Sequence, residues 1–388
     1  MQLRLATLVF MASAPIAPAL GAGPGCALIA ETQVSGATQD QPLKAESRAA
    51  VEALQELLTR LELGLQGPAL ELGLPLVAEG GMLAGDGRAV ATVARALFQA
   101  GRESEADALL VRARVSPDTI GWVDLERAWI ALQRDQLDEA RALLIDQSGG
   151  TTPLRHPELP AAWILLARVQ ARAGRLDQAA LFARRFLELA PLHEDAPSAW
   201  HLLSRDAAQR GAGAEAQELL ERSNQLRQWH EVMRVRRLQM RQTPTEPLPR
   251  LGLALGWMQV EAWDRAAAEL EALLAIQPDY CRARFHLGEA RRLGGDAAGA
   301  IEAYGACIEC DATDMRPRLN RALLLRAAGR NDEALADLTA VASSDAAEDP
   351  LFLGAHLELA RALRDAGRTE DSAAAYERYR ALGGDEEL

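Results

Sequence analysis

Apolar residues along most of this chain recur three and four places apart. Val51, Leu54, Leu57, Leu58 and Leu61 show the spacing clearly, and it places them on one side of a helix. Period-two alternation is scarce, and so are the β-branched and aromatic runs that strands need. Ala, Leu, Arg, Glu and Gln, all good helix formers, dominate from about residue 44 onward. The pattern predicts an all-α chain.

The helical pattern also repeats with a fixed period. Stretches beginning at Pro247, Cys281 and Met315 follow one another at 34 residues with no gap. Their eighth residues are Ala254, Gly288 and Ala322, and their twentieth are Ala266, Ala300 and Ala334. Leu270, Tyr304 and Leu338 share position 24, while Leu273, Cys307 and Val341 share position 27. Upstream, Gly87 and Gly121 start two more copies, with Ala94/Ala106 and Ala128/Ala140 at the small positions. Pro160 starts one with Trp163, Leu166, Ala167, Gly174, Ala179 and Phe186; Pro197 starts one with Trp200, Leu203, Gly211 and Ala216. The last begins near Leu353, with Leu359, Ala360, Gly367 and Tyr376, and Ser372 replaces its second small residue. This spacing suits two antiparallel helices whose backbones approach at the small residues and turn at a glycine near position 15. The large apolar residues then fill the layer between neighbouring hairpins, so stability comes from stacking.

The pattern resembles the tetratricopeptide repeat (TPR) family, whose motif is specific when successive copies keep register. The resemblance covers about residues 87–386 in eight copies and implies a right-handed solenoid of about eight helix-turn-helix repeats. Four repeats occupy residues 87–228 and four occupy 247–386. Residues 44–86, one amphipathic helix followed by a Gly-rich apolar segment, read as an N-terminal helical cap. Residues 229–246, with Arg234, Arg236, Arg237 and Arg241 before Pro244 and Pro247, read as a bridging helix or a hinge. The repeat from Gly121 carries Asp124 and Arg127 where apolar residues are usual, and Trp122 and Trp129 where polar ones are. Its register or packing is expected to be unusual.

The first residues change the cellular picture. Met1-Gln2-Leu3-Arg4, an apolar stretch to about Leu20 and small residues at Ala19, Gly21 and Ala22 have the form of a secretory signal peptide over residues 1–22. Residues 23–43 read as a disordered linker, and lipidation at Cys26 is the less favoured route to a membrane. The chain is expected to be exported and periplasmic. Its net charge of −13 argues against a nucleic-acid partner.

Chemistry is sparse. None of the histidines His156, His193, His201, His230, His286 and His356 pairs with another at a metal-binding helical spacing. No nucleophile elbow, phosphate loop or dinucleotide fingerprint occurs. No catalytic residue, metal site, cofactor or small-molecule substrate is expected. Cys281 opens a hairpin that Cys310 closes; buried free thiols are the favoured reading, and a disulfide between the two, with Cys307 a poorer partner, is the alternative that an oxidising compartment offers.

The family resemblance implies that first-helix positions 2, 5, 9, 12 and 13 line an inner surface where partners lie. Those positions hold Arg88, Arg95, Arg168, Arg172, Arg205, Arg282, Arg292, Arg316, Arg326, Arg361 and Arg364, against the acids Glu289 and Asp365. The second helices run the other way, with Glu103, Glu105, Asp138, Glu139, Asp332 and Glu333 among their acids. A basic groove inside an acidic shell is expected. Apolar residues interleave with it, and Phe98, Trp122, Trp129 and Phe285 join Arg88, Arg95, Arg168, Arg172, Arg205, Arg282, Arg292, Arg326 and Arg361 as candidate partner-binding residues. Arg168 and Arg205, both at position 9, are candidates to fork onto one carboxylate. The expected function is a non-catalytic adaptor of the cell envelope that binds an acidic extended segment of another protein. The alternatives are a self-assembling scaffold or a helper subunit that positions an enzyme of envelope biogenesis or secretion.

Overall fold

A computed structural model describes residues 45–62, 64–146 and 154–388; the expected leader, linker and Cys26 lie outside the described residues. The chain divides into two compact units, one ending at His230 and one running from Glu231 to Leu388. Among the described residues no helix is long and apolar enough to cross a membrane.

The first unit opens with a hairpin of α1 (Ala45–Glu62) and α2 (Gln66–Val77). The second helix was not expected. Ala69, Leu70, Gly73 and Val77 are its buried residues, a helical spacing that the glycines and Pro75 disguise. Gly73 has a packing reason: a Cβ there would lie 2.7 Å from Val93 and 3.0 Å from Leu57. The cap is therefore a full hairpin seated on the first repeat.

Three hairpins follow: α3 (Gly87–Gln99) with α4 (Glu103–Arg112), α5 (Ile120–Gln133) with α6 (Leu137–Leu144), and α7 (Pro160–Arg172) with α8 (Leu176–Leu189). Then α9 (Ala196–Gln209) pairs with the start of α10, a helix of 30 residues from Gly213 to Gln242. Most of the bridging segment thus belongs to one continuous helix, and the chain breaks helix only around Thr243 to Glu246. The second unit continues with α11 (Pro247–Gln259) and α12 (Trp263–Ile276), α13 (Cys281–Leu293) and α14 (Ala297–Cys310), α15 (Met315–Ala327) and α16 (Asn331–Ala342), and α17 (Leu353–Asp365) and α18 (Thr369–Ala381).

Small residues hold each hairpin together. Ala94, Ala106, Ala128, Ala140, Ala167, Ala179, Ala254, Ala266, Ala300, Ala322, Ala334 and Ala360 are all fully buried. Two repeats use serine instead, and both hydroxyls are satisfied across the hairpin. Ser204 Oγ donates to the Ala216 carbonyl at 2.7 Å, and Ser372 Oγ to the Ala360 carbonyl at 2.8 Å. A buried hydroxyl without such a partner would destabilise the pair. Gly288 leaves room for Tyr304, since a Cβ there would stand 2.5 Å from the ring.

Every repeat turns through a residue of positive φ at position 15. In most it is glycine, from φ 75 at Gly329 to φ 87 at Gly295. Asp135 (φ 60) and Glu261 (φ 58) are the exceptions. The repeat from Gly121 keeps its register after all. Asp124 meets His156 Nε2 at 3.0 Å and Arg127 is exposed, so the unusual residues change what the repeat displays and leave its packing intact.

Candidate functional site: the face of the first helices

In the first unit the arginines and aromatic residues of this face form pairs. Arg88 lies over the Trp122 ring at 5.6 Å, and Arg95 over Trp129 at 4.7 Å. Phe98 meets Trp129 edge to face at 5.5 Å, and Arg134 covers the Phe98 ring at 5.5 Å. The ladder arises because the repeat from Gly121 puts tryptophan at positions 2 and 9, one repeat after Arg88 and Arg95 at the same positions. Both tryptophans stay half-buried. A guanidinium over an indole face contributes about 0.5–1 kcal/mol at an exposed site, enough to hold the rings flat against the helices.

Arg95 also grips Glu126, with Nη2 at 2.7 Å from Oε2 and Nε donating to both carboxylate oxygens. The Glu126 side chain is only 3% exposed while Arg95 keeps 45%. Burial raises the Glu126 pKa, and Arg95 opposes that only in part.

The rest of the face departs from the expected row of free cations. Arg168 is held by Asp195 and by Ser198 Oγ at 3.2 Å, and Arg172 donates to the Leu132 carbonyl with Asp135 at 3.8 Å. The expected fork of Arg168 and Arg205 onto one carboxylate is therefore half occupied from within the chain. In the second unit Arg292 pairs with Glu289 at 3.0 Å and Arg316 with Asp314 at 2.6 Å. Arg326 contacts Glu358 and Asp365, Arg361 contacts Glu358 and Glu386, and Arg364 lies 4.0 Å from Asp365. Arg88, Arg205 and Arg282 have no carboxylate partner among the described residues.

Besides Glu289 and Asp365, the acids that neutralise this face come from places outside the inner-surface positions. Glu126 and Glu358 stand at repeat position 6, and Asp195, Asp135 and Asp314 stand in turns between helices. Sequence reasoning missed them, although a signal exists: Arg95 and Glu126 are 31 residues apart, and Arg326 and Glu358 are 32 apart. An arginine and an acid two or three residues short of one full repeat later mark a cross-repeat pair.

Phe285 is the aromatic of the second unit's face, covered by Arg316 at 4.8 Å and edge-on to His286 at 5.4 Å. Burial, with help from Arg282 and Arg316, pushes the His286 pKa down to about 4, against the pull of Glu289. Glu289 is itself a hub, accepting from Tyr304 Oη, from Asn320 Nδ2 at 2.7 Å and from Arg292. Burial pushes its carboxyl up, but those donors win and hold it low.

Cys281 and Cys310 are joined by a disulfide, with their Cα atoms 5.5 Å apart. Cys307 remains a buried thiol whose pKa burial pushes up to about 11. This suits a packing residue and not a nucleophile.

Residues 252–314 and 319–387, the hairpins of the second unit, match the family model for the tetratricopeptide repeat. The second unit is built of tetratricopeptide repeats. The hairpins of the first unit carry the same register and the same buried small residues. Among solved structures, the crystal structure of MamA is 15% identical, covering 42% of this chain and 92% of that one at a TM-score of 0.37. TTC0263, a thermophilic TPR protein in Thermus thermophilus, is 19% identical over 53% of this chain and 99% of its own, at 0.28. YrrB, described as a TPR protein with an unusual peptide-binding site, is 17% identical over 50% and 89%, at 0.26. These are likenesses of fold. No curated protein matches the chain.

Proposed function

We propose that this TPR protein is a non-catalytic adaptor that holds an acidic, extended segment of another protein against the face of its first helices. Proteins built from such repeats are generally interaction modules, and stacked hairpins present extended surfaces suited to that task. The observation that carries the reading is the half-open ladder of Arg88 on Trp122 and Arg95 on Trp129. Arginine and tryptophan together are the residues that dominate binding energy at interfaces. Arg88 and Arg205 in the first unit, and Arg282 in the second, meet no carboxylate among the described residues and supply the positive charge that favours an acidic segment. The paired arginines hold their own acids and set the shape of the surface. The form of residues 1–22 supports a place in the cell envelope.

A photoreactive amino acid at Trp122, compared with one at the exposed Leu181 of α8, tests the reading in cell-envelope extract. Trp122 should crosslink a distinct protein, with a yield that falls as ionic strength rises. Crosslinks only between copies of this chain, unchanged by salt, would favour a self-assembling scaffold instead.

A further inference from the structure

In the second unit, the second helix of a hairpin turns repeat positions 24 and 27 toward the hairpin that follows. Leu270, Tyr304 and Leu338 hold the first position, Leu273, Cys307 and Val341 the second, and none is more than 2% exposed. Leu270 and Leu273 pack with Ala283 and Leu287 of α13, and Leu338 and Val341 pack with Ala355 and Leu359 of α17. A first helix is the usual cover. On α18 the same positions hold Tyr376 and Tyr379, whose rings stack 6.0 Å apart. What covers them is a non-helical strap, residues 383–387. The Glu386 backbone N–H donates to Tyr379 Oη at 3.1 Å, and Tyr376 Oη donates to the Glu386 carbonyl at 3.1 Å. Arg380 Nη1 donates to the Gly384 carbonyl at 2.7 Å. Gly384 is buried against Tyr379, where a Cβ would stand 2.1 Å from the ring. The strap brings no apolar side chain, so a few hydrogen bonds of modest net worth hold it. Asp385, Glu386 and Glu387 are exposed, and only Glu386 has an ion-pair partner among the described residues, Arg361 at 3.3 Å.

We propose that residues 383–387 are a displaceable strap that closes the α18 face against a second copy of this chain. The other faces of this kind in the unit are covered by helices of this same chain, which points to a further copy as the occupant. With the strap seated, two copies would meet here through like-charged carboxylates, which repel. With it released, Tyr376 and Tyr379 are bare on both copies, and the same patch can pair with itself about a two-fold axis. Tyrosine suits both states, because its hydroxyl bonds the strap while its ring offers apolar area to a protein surface. The inference goes beyond the adaptor reading, which concerns the first-helix face, and stands or falls separately from it.

Gly384→Val tests the strap, because its side chain would collide with Tyr379 while leaving α18 itself unchanged. Sedimentation velocity over a concentration series should find wild type monomeric. The variant should dimerise at least about tenfold more tightly, since opening the strap no longer costs its hydrogen bonds. Adding Tyr376→Ser, a change at a half-buried ring, should return the variant toward monomer. Circular dichroism checks the fold, and the Glu386 amide should exchange slowly in wild type and fast in Gly384→Val. A chain shortened to end at Leu382 lacks the strap outright and should dimerise as the variant does. If the folded variant and the shortened chain both stay monomeric, or wild type associates as tightly as they do, the proposal is overturned. Irregular aggregates that Tyr376→Ser leaves unchanged would also overturn it.

Discussion

Glu261 turns the repeat that begins at Pro247 with φ 58, the left-handed region that the other turns of this kind mostly assign to glycine. Holding that conformation costs a residue with a Cβ roughly 1–2 kcal/mol. The Glu261 side chain is exposed and forms no hydrogen bond or ion pair with described residues, so nothing local offsets the strain. Glu261→Gly removes the clash but gives the unfolded chain extra freedom, which offsets about 0.5–1 kcal/mol of the gain. The net expectation is a stabilisation of about 0.5–1 kcal/mol. In calorimetry that raises the melting temperature by roughly 1–4 °C for a unit of this size. Glu261→Ala is the control, because it deletes the same carboxylate but keeps the Cβ, and it should stay within about 0.5 kcal/mol of wild type. Asp135→Gly should gain less, since Asp tolerates the region better and faces Arg172 at 3.8 Å. If Gly and Ala at position 261 behave alike, or Gly lowers the melting temperature, the strain argument is wrong.

Gly288→Ala should destabilise the second unit by about 1–3 kcal/mol, because its Cβ would meet the fully buried Tyr304 ring at 2.5 Å; urea unfolding of the variant beside Gly288→Ala/Tyr304→Leu should recover part of the loss. Cys281→Ser should remove about 3–4 kcal/mol, the loop entropy of a cross-link spanning 29 residues, and a reductant should lower the wild type's urea midpoint but not the variant's. His286 has a folded pKa of about 4, below its unfolded 6.5, so unfolded chains take up its proton first as pH falls. Stability should therefore drop between pH 6.5 and 4, by on the order of 3 kcal/mol, and His286→Phe should flatten that part of the profile.

The period, the buried small residues and the turn glycines were legible in the sequence because each repeat must solve the same packing problem. Ala94 and Ala106 are buried for the reason that Ala322 and Ala334 are. The cap was harder to read. Gly73 and Pro75 look like breakers, yet Gly73 is needed for close packing against Val93 and Leu57. The continuity of α10 beyond His230 was also open, since a helix and a hinge share the same polar composition. The binding face was half legible. Its arginines stand where the repeat register places them, but their charge is balanced by position-6 and turn acids such as Glu126 and Asp195. A tally confined to positions along one helix misses bonds made between repeats.

The central claim is that the first-helix face binds a protein partner through its unpaired arginines. The direct measurement is affinity capture from cell-envelope extract with wild type, with Arg88→Glu/Arg205→Glu/Arg282→Glu, and with Arg184→Glu on α8 as a control. The account predicts one specific protein retained by wild type and by the α8 control, released by salt, and lost from the triple variant. Equal retention by all three chains, or recovery of nothing but further copies of the chain itself, would contradict it.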